Sequence, residues 1–572
     1  MNRRNFIELV GAGSSAMACA PIFTVTAANS QPKHLHKQKA KELNADIVIA
    51  GGGLGGCAAA LAALKSGLSV ILTEETDWVG GQLTQQAVPP DEHQWIESHG
   101  ATQLYREFRS AIRQYYKSYY PLTEQAKNTK NLNPGNGAVS RLCFEPKVGV
   151  TVLESMLAPY TSTGQLTLLL EHKAAAAEVS GDKINFLAVN DLRNGNDKIL
   201  SAAYFVDATE LGDLLPLSGT EYVSGAEAKS ETNELHAAEE AQPHNHQSYT
   251  MCFAMDYVPG AKLTIDKPED YNFWHKHIPK LSPPWPGELL SLTYANPSTL
   301  EPKELGFHPD GRATGNKLNL WNYRKIIDRH NFKNGLYTGD ITIVNWPQND
   351  YMLGNLVDVS EKEFQKHLRG GKQLSLSLFY WLQTEAPRPD GGQGWPGLRL
   401  RGDVMGTEDG MAKYPYIRES RRIKAEFTVL EEHVGTANRA LITGKKENNT
   451  AADFYDSVGI GYYHIDLHPS TAGDNYIDFG SLPFQIPLGA LIPQRTINLL
   501  PANKNIGTTH ITNGCYRLHP VEWSIGEAVG YLVAYSLKNK TIPKGVREDK
   551  RRLAEYQSLI RKNGIETHWP KA

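Results

Sequence analysis

Gly51, Gly53 and Gly56 stand directly after the short apolar run at residues 45–50. Glycine at 51 permits a tight turn after a strand, and glycine at 53 lets the backbone approach a pyrophosphate. Glycine at 56 lets the following helix pack on the sheet. Leu54 and Gly55 fall between them, where the first N–H groups of that helix would face an anion. Glu74 follows Gly51 by 23 residues, with Glu75 beside it. A carboxylate at that distance accepts hydrogen bonds from ribose hydroxyls. A second match to the same spacing, Gly392-Gln393-Gly394-Trp395-Pro396-Gly397, follows no strand. Pro396 also has no N–H to offer a phosphate, so this match reads as a loop.

The glycine spacing needs a βαβ unit to position it, and one is legible. Residues 45–50 read as a strand, 57–66 as an Ala/Leu-rich helix capped by Gly67, and 68–73 as a second strand ending at Glu74. Beyond it the loop Trp78-Val79-Gly80-Gly81-Gln82-Leu83-Thr84 continues away from the ribose. A flavin ring lies far along the crevice and the backbone must pass close to it, so the Gly80–Gly81–Gln82 loop favours FAD over NAD. No second fingerprint with strand–helix context supports a built-in nicotinamide site. Helical patterns follow at 103–116 and 147–158, a strand–turn–strand meander runs from 166–170 to 184–190, and a strand at 204–206 runs into Asp207-Ala208-Thr209. A large FAD-binding unit requires such a meander and strand end. Residues 225–415 are rich in Pro, Trp and Asn, and strand signals return near 497–500 before a long helix to about 538.

The fold class expected is α/β: a Rossmann-like FAD-binding domain, βαβ in a three-layer architecture, with an inserted α+β substrate domain. Its first part spans 45–224, the insertion 225–479 and its second part 480–540, with a C-terminal extension at 541–572.

The chain resembles the bacterial FAD-dependent oxidoreductases, among the glutathione-reductase-like and fumarate-reductase-like flavoproteins. The resemblance rests on the Gly51 fingerprint, the Gly80-Gly81 loop, and Val206-Asp207-Ala208-Thr209-Glu210-Leu211-Gly212-Asp213. It continues in Asn345-Trp346-Pro347-Gln348-Asn349-Asp350-Tyr351, Tyr416-Ile417-Arg418-Glu419-Ser420-Arg421-Arg422-Ile423, Ile465-Asp466-Leu467-His468 and the helix start from Arg517 to Pro520. These segments span most of 45–540 and name no substrate.

In His510-Ile511-Thr512-Asn513-Gly514-Cys515-Tyr516-Arg517-Leu518-His519-Pro520-Val521-Glu522, Asn513-Gly514 reads as a turn, and Pro520 and Glu522 suit the first turn of a helix. The resemblance implies that this helix points its N-terminus at the flavin pyrimidine. Pro520 would then lie at the cofactor, and Arg517 would neutralise the reduced ring or hold a substrate carboxylate. Oxidation of a C–H calls for a base near the flavin, and His519, His510 and His468 are the candidates. Arg418, Glu419 and Arg421 read as an internal ion-pair network.

The 59 Lys+Arg against 62 Asp+Glu give a net charge of −3, which argues against a nucleic-acid partner. The five cysteines form no C-x-x-C and none lies at metal-ligand spacing from a His, so no metal is expected. Arg3-Arg4-Asn5-Phe6-Ile7, a Gly/Ala/Ser-rich stretch and small residues at 25–28 read as a Tat-type signal over 1–28, with 29–44 as a solvated linker. Cys19 sits in a poor lipobox. The expectation is a periplasmic or secreted flavoenzyme without an integral membrane segment in its mature form, its partners being the Tat machinery, a small-molecule substrate, and oxygen or a respiratory electron acceptor. It would take a hydride from a C–H next to a hydroxyl or amine. The alternatives are a redox-neutral or C=C-reducing flavoenzyme, or a glycan-binding protein with a structural flavin.

Overall fold

The computed structural model of the chain describes residues 41–445 and 447–570. The segment read as an export signal and residues 29–40 of the linker lie outside the described residues. The first strand, β1 (Lys41–Ala50), starts inside the stretch read as linker, because residues 41–44 pair in parallel with residues 198–201. The glycine turn follows, then α1 (Leu54–Lys65) and β2 (Val70–Glu74). Every residue of α1 from Leu54 to Leu64 is buried, as befits a helix that is apolar all round.

Helices α2 (Gln103–Tyr119) and α3 (Pro146–Ser162) lie where the apolar spacing puts them. Strands β3 (Leu166–Leu170), β4 (His172–Ser180), β5 (Lys183–Asp191) and β6 (Asp197–Asp207) come next. The sheet runs β3-β2-β1-β6 in parallel and continues into the antiparallel meander β5-β4. Alanines 174–177 favour a helix by propensity, but pairing with β5 holds them in β4, with two register shifts along the way.

The segment read as an insertion carries an antiparallel sheet built from β7 (Phe253–Tyr257), β8 (Lys325–Ile327), β9 (Ile341–Val344) and β10 (Leu398–Leu400), in the order β8-β9-β7-β10. It also holds the 24-residue helix α4 (Glu361–Thr384), opened by a capping box between Ser360 and Glu363. Two glycines inside α4 would weaken it in isolation. Here a Cβ on Gly370 would come within 2.6 Å of the Tyr351 ring, and one on Gly371 within 2.8 Å of the Tyr249 ring.

The chain then returns to the first sheet. After β11 (Ile465–Leu467), strand β12 (Leu499–Pro501) pairs in parallel with the end of β6. Helices α5 (His510–Tyr516) and α6 (His519–Lys538) follow. Asn513 and Gly514 therefore lie inside α5, not in a turn. Gly514 serves close packing, since a Cβ there would sit 3.0 Å from the Asp466 nitrogen of β11. Helix α6 lies on α1 with backbone against backbone: a Cβ on Gly526 would be 2.0 Å from the Gly55 carbonyl oxygen, and one on Gly530 would be 2.4 Å from that of Ala59.

Cys57, Cys143, Cys252 and Cys515 are buried and free. Among the described residues no helix is long and apolar enough to cross a membrane.

Candidate active site

The ends of β1, β2 and β6 open onto a crevice lined by Gly51, Gly53, Glu74, Glu75, Ala208 and Thr209, with Lys173 and Tyr414 opposite. Gly51 has φ +96°, and a Cβ there would strike the Ala208 carbonyl at 2.2 Å, so the turn hugs the end of β6. The Gly80–Gly81 loop folds back over it. Gly80 donates its N–H to the Gly52 carbonyl at 2.8 Å, and a Cβ on Gly81 would fall 2.9 Å from the Gly53 Cα. Glu74 accepts the N–H of Gly52 at 2.9 Å and that of Thr76 at 2.8 Å. Burial pushes its carboxyl up to about 8, and Glu75 adds repulsion.

Gly53 caps α1 without a side-chain partner, leaving the end of that helix to its surroundings. The Gly55 N–H donates to Glu522 Oε1 at 3.3 Å, and Gln82 donates to the other oxygen of Glu522. Lys504 Nζ lies 2.5 Å from Glu210 and 4.0 Å from Glu522. Burial pushes Glu522 up to about 7 while Lys504 pulls it back, which limits the negative charge at this helix end. Buried polar atoms without a protein partner line the same path: Glu210 Oε1, Gln82 Oε1, Gln86 Nε2 and His519 Nε2. A glycine-lined crevice with a ribose-side carboxylate and unpaired polar atoms beyond it fits a flavin dinucleotide.

Asp207 does not line the crevice. Its carboxylate accepts the Thr209 N–H at 3.0 Å, the Thr209 hydroxyl at 2.7 Å and the Leu214 N–H at 3.0 Å, so it fixes the turn that presents Ala208 and Thr209. Leu54, Gly55, Gly56, Gly80, Gly81 and Pro520 are not among the crevice-lining residues, and Gln82 acts through its side chain, which donates to Glu522 and leaves Oε1 unpaired.

A second cavity of about 190 Å³ is lined by Arg324, Arg418, Arg517, Asp466 and His468, with Asp91 at its edge and several tyrosines around it. Its parts come from five separate segments. Asp350 is buried and holds His468 Nδ1 at 2.6 Å, the Thr250 hydroxyl at 2.5 Å and Arg418 at 3.0 Å. Burial would raise its carboxyl, but Arg418 and His468 hold it below the usual carboxylate range. On the other side, His468 Nε2 lies 3.6 Å from Asp466 Oδ2, and the same oxygen takes Arg517 Nη2 at 3.0 Å. Although burial opposes its charge, Asp466 is held far below its ordinary value by His468 and Arg517.

The four catalytic candidates separate. His468 and Arg517 line this cavity together. Arg517 arrives with its charge already paired, to Asp466 at 3.0 Å, and it donates to the Tyr416 hydroxyl at 2.8 Å. His519 is fully buried; its Nδ1 accepts the Asp91 N–H at 3.0 Å, which leaves the proton on Nε2. Burial lowers it to about 4, so it is a neutral donor rather than a base at pH 7. His510 lies in neither cavity. It pairs with Glu419 at 2.8 Å, and Glu419 in turn pairs with Arg422 at 2.6 Å. Burial disfavours its charge, but Glu419 keeps it above the ordinary histidine value. The three residues read as one ion-pair network have separate partners: Arg418 pairs with Asp350, Glu419 with Arg422 and His510, and Arg421 with Asp213 and Asp358.

Arg324, Asp350 and Asp466 were not singled out by sequence reasoning. Asp350 and Asp466 sit in segments that carry the family resemblance, but their meeting is non-local and leaves no spacing to read. Arg324 had no signal.

The family described as FAD dependent oxidoreductase matches residues 46–560. No curated protein matches the chain. Among solved structures, p-nitrophenol 4-monooxygenase from Pseudomonas putida DLL-E4 is similar at 10% identity and a TM-score of 0.33, over 92% of this chain and 87% of that one. Anhydrotetracycline hydroxylase from Streptomyces rimosus is similar at 10% identity and a TM-score of 0.32, over 91% of this chain and 68% of that one. L-proline dehydrogenase from P. horikoshii is similar at 17% identity and a TM-score of 0.17, over 34% of this chain; the match spans a quarter (25%) of that enzyme's chain.

Proposed function

We propose that this chain, which belongs to the family of FAD dependent oxidoreductases, takes a hydride from a C–H next to a hydroxyl or amine of a small organic substrate. The cofactor is FAD, which supplies the hydride acceptor when bound. Gly51, Gly53, Glu74, Ala208 and Thr209 would hold its dinucleotide end. The observation that carries the reading is the buried Asp350 fixing His468 at 2.6 Å in a cavity shared with Arg517. Asp350 locks the ring so that Nδ1 keeps its proton and Nε2 faces outward as the base. The proton taken from the hydroxyl or amine leaves an imidazolium flanked by the carboxylates of Asp350 and Asp466.

Anaerobic bleaching of the flavin by a panel of sugars, amino acids and amines tests the proposal. His468→Gln should keep its FAD and slow bleaching by the active compound about a hundredfold or more. An unchanged rate would remove His468 from the chemistry. Oxygen or a respiratory acceptor would then reoxidise the enzyme. Arg3 and Arg4 support export through the Tat machinery, which handles folded, cofactor-loaded cargo. Replacing both with Lys should leave yellow protein in the cytoplasm, and an unchanged periplasmic yield counts against this route.

A further inference from the structure

Of the three guanidinium groups in the second cavity, two are committed. Arg418 donates to the Ser248 carbonyl at 2.7 Å and lies 3.0 Å from Asp350. Arg517 is held by Tyr416 and Asp466. All three leave Nε without a partner, but Arg418 and Arg517 bond through both terminal nitrogens, and Arg324 does not. It is 7% exposed, and its Nη1 reaches the Pro89 carbonyl and Asp91 Oδ1 only at 3.4 Å each. Its Nε has no partner, and none of its bonds uses Nη2.

Nε–H and Nη2–H form one edge of the planar guanidinium, the edge that takes a carboxylate in two parallel hydrogen bonds. Leaving the buried Nε–H unpaired is costly. The Tyr323 ring lies 5.1 Å beneath the guanidinium and fixes its plane. The cavity, at about 190 Å³, is smaller than the roughly 300–1,000 Å³ of drug-sized sites, so its guest is small.

We propose that the substrate is a small hydroxylated carboxylic acid, whose carboxylate docks on the Nε/Nη2 edge of Arg324. This rests on the oxidoreductase reading and adds the substrate class. The carboxylate stays intact through the reaction. The C–H beside the hydroxyl leaves as hydride to the flavin, the O–H proton goes to His468, and the C–O bond becomes C=O. A neutral polyol offers the same C–H and O–H groups but leaves the Arg324 edge unpaired.

The test titrates yellow, full-length protein with D-gluconate and glycerate against glucose and glycerol, following the flavin absorbance and its anaerobic bleaching. The acids should act at concentrations roughly ten- to hundredfold lower than their neutral counterparts, the span of a charge-assisted hydrogen-bond pair. Arg324→Lys keeps the charge but not the planar edge, and should lose most of that preference while retaining FAD. The double variant Arg324→Gln with Asp91→Asn removes the facing charge as well, so Asp91 is not stranded if the single change impairs folding; it should lose the preference entirely. Equal responses to acids and neutral compounds would overturn the proposal. So would no response to either acid, or a preference that survives in folded variants. A colourless protein that takes up no FAD would instead count against the flavoenzyme reading itself.

Discussion

Gly53→Val separates flavin binding from folding. Gly53 has φ −62° and ψ −174°, an extended conformation that valine adopts readily. The nearest atoms to a Cβ there would be Glu210 Oε1 at 3.0 Å, the end of a side chain, then Glu522 Oε1 at 3.5 Å and the Ala208 carbonyl at 3.6 Å. The folding cost is therefore small, about 1 kcal/mol for a poorer helix cap. The two γ-carbons, however, stand where the pyrophosphate must approach. FAD at a hundred times its Kd stabilises the wild type by about 2.7 kcal/mol, and the variant should lose that entire increment. The assay pairs the flavin-to-protein absorbance ratio with melting curves recorded with and without added FAD. The expected variant is folded, colourless and indifferent to FAD. Gly55→Ala is the contrast: its Cβ would lie 1.5 Å from the Ala502 carbonyl, so it should fail to fold. A Gly53→Val protein with the wild-type flavin ratio would refute the crevice assignment, and one without a cooperative melt would refute the claim that position 53 is unstrained.

Two further outcomes follow from the charge arrangement. Arg517 and Asp466 share one pairing beside the cavity, so Arg517→Gln should lower the flavin midpoint potential and Asp466→Asn should raise it. Each shift is about 30 mV for a 1.4 kcal/mol change in a two-electron couple, read by anaerobic redox titration; shifts of the same sign would exclude an electrostatic origin. Burial pushes Glu527, on the inner face of α6, up to about 7 from an ordinary 4.5. The folded state thus holds its proton more tightly than the unfolded state, and stability falls as pH rises from about 4.5 to 7. Glu527→Gln removes that loss, so it should be more stable than wild type at pH 8, by at most about 3 kcal/mol, with the advantage shrinking toward pH 5. Melting temperatures at the two values decide it, and a gap independent of pH would mean the carboxyl is not the cause.

The dinucleotide end of the site was legible because its demands are local. Strand, three glycines, helix, strand and Glu74 lie within one short stretch, and each residue type answers a steric or hydrogen-bonding need. The cavity was not legible in the same way. His468 acquires its role from Asp350, which lies 118 residues earlier, and Arg517 acquires its partner through the close packing of Gly514 on β11. No periodicity records such meetings. Helix α4 went unread within a segment noted only for its Pro, Trp and Asn, and only the folded chain shows the two tyrosine rings that require Gly370 and Gly371. Among the histidines, the sequence offered His519, His510 and His468 as candidates. Burial and partners separate them: His519 is buried with Nδ1 accepting the Asp91 N–H, and His510 is paired with Glu419.

The backbone contact of Gly526 and Gly530 with α1 also sets an order of assembly. The strand that completes the first sheet and the helix that seals α1 both come from the last eighth or so of the chain, while the glycine turn they close upon comes from its first tenth. Closing so long a loop is entropically expensive and is repaid only when both partners are present. During synthesis the nucleotide crevice therefore stays open, with the apolar surface of α1 exposed, until residues near 538 have left the ribosome. Cofactor capture should therefore wait for α6, and a chain truncated before α6 should aggregate rather than accumulate as a flavin-binding fragment.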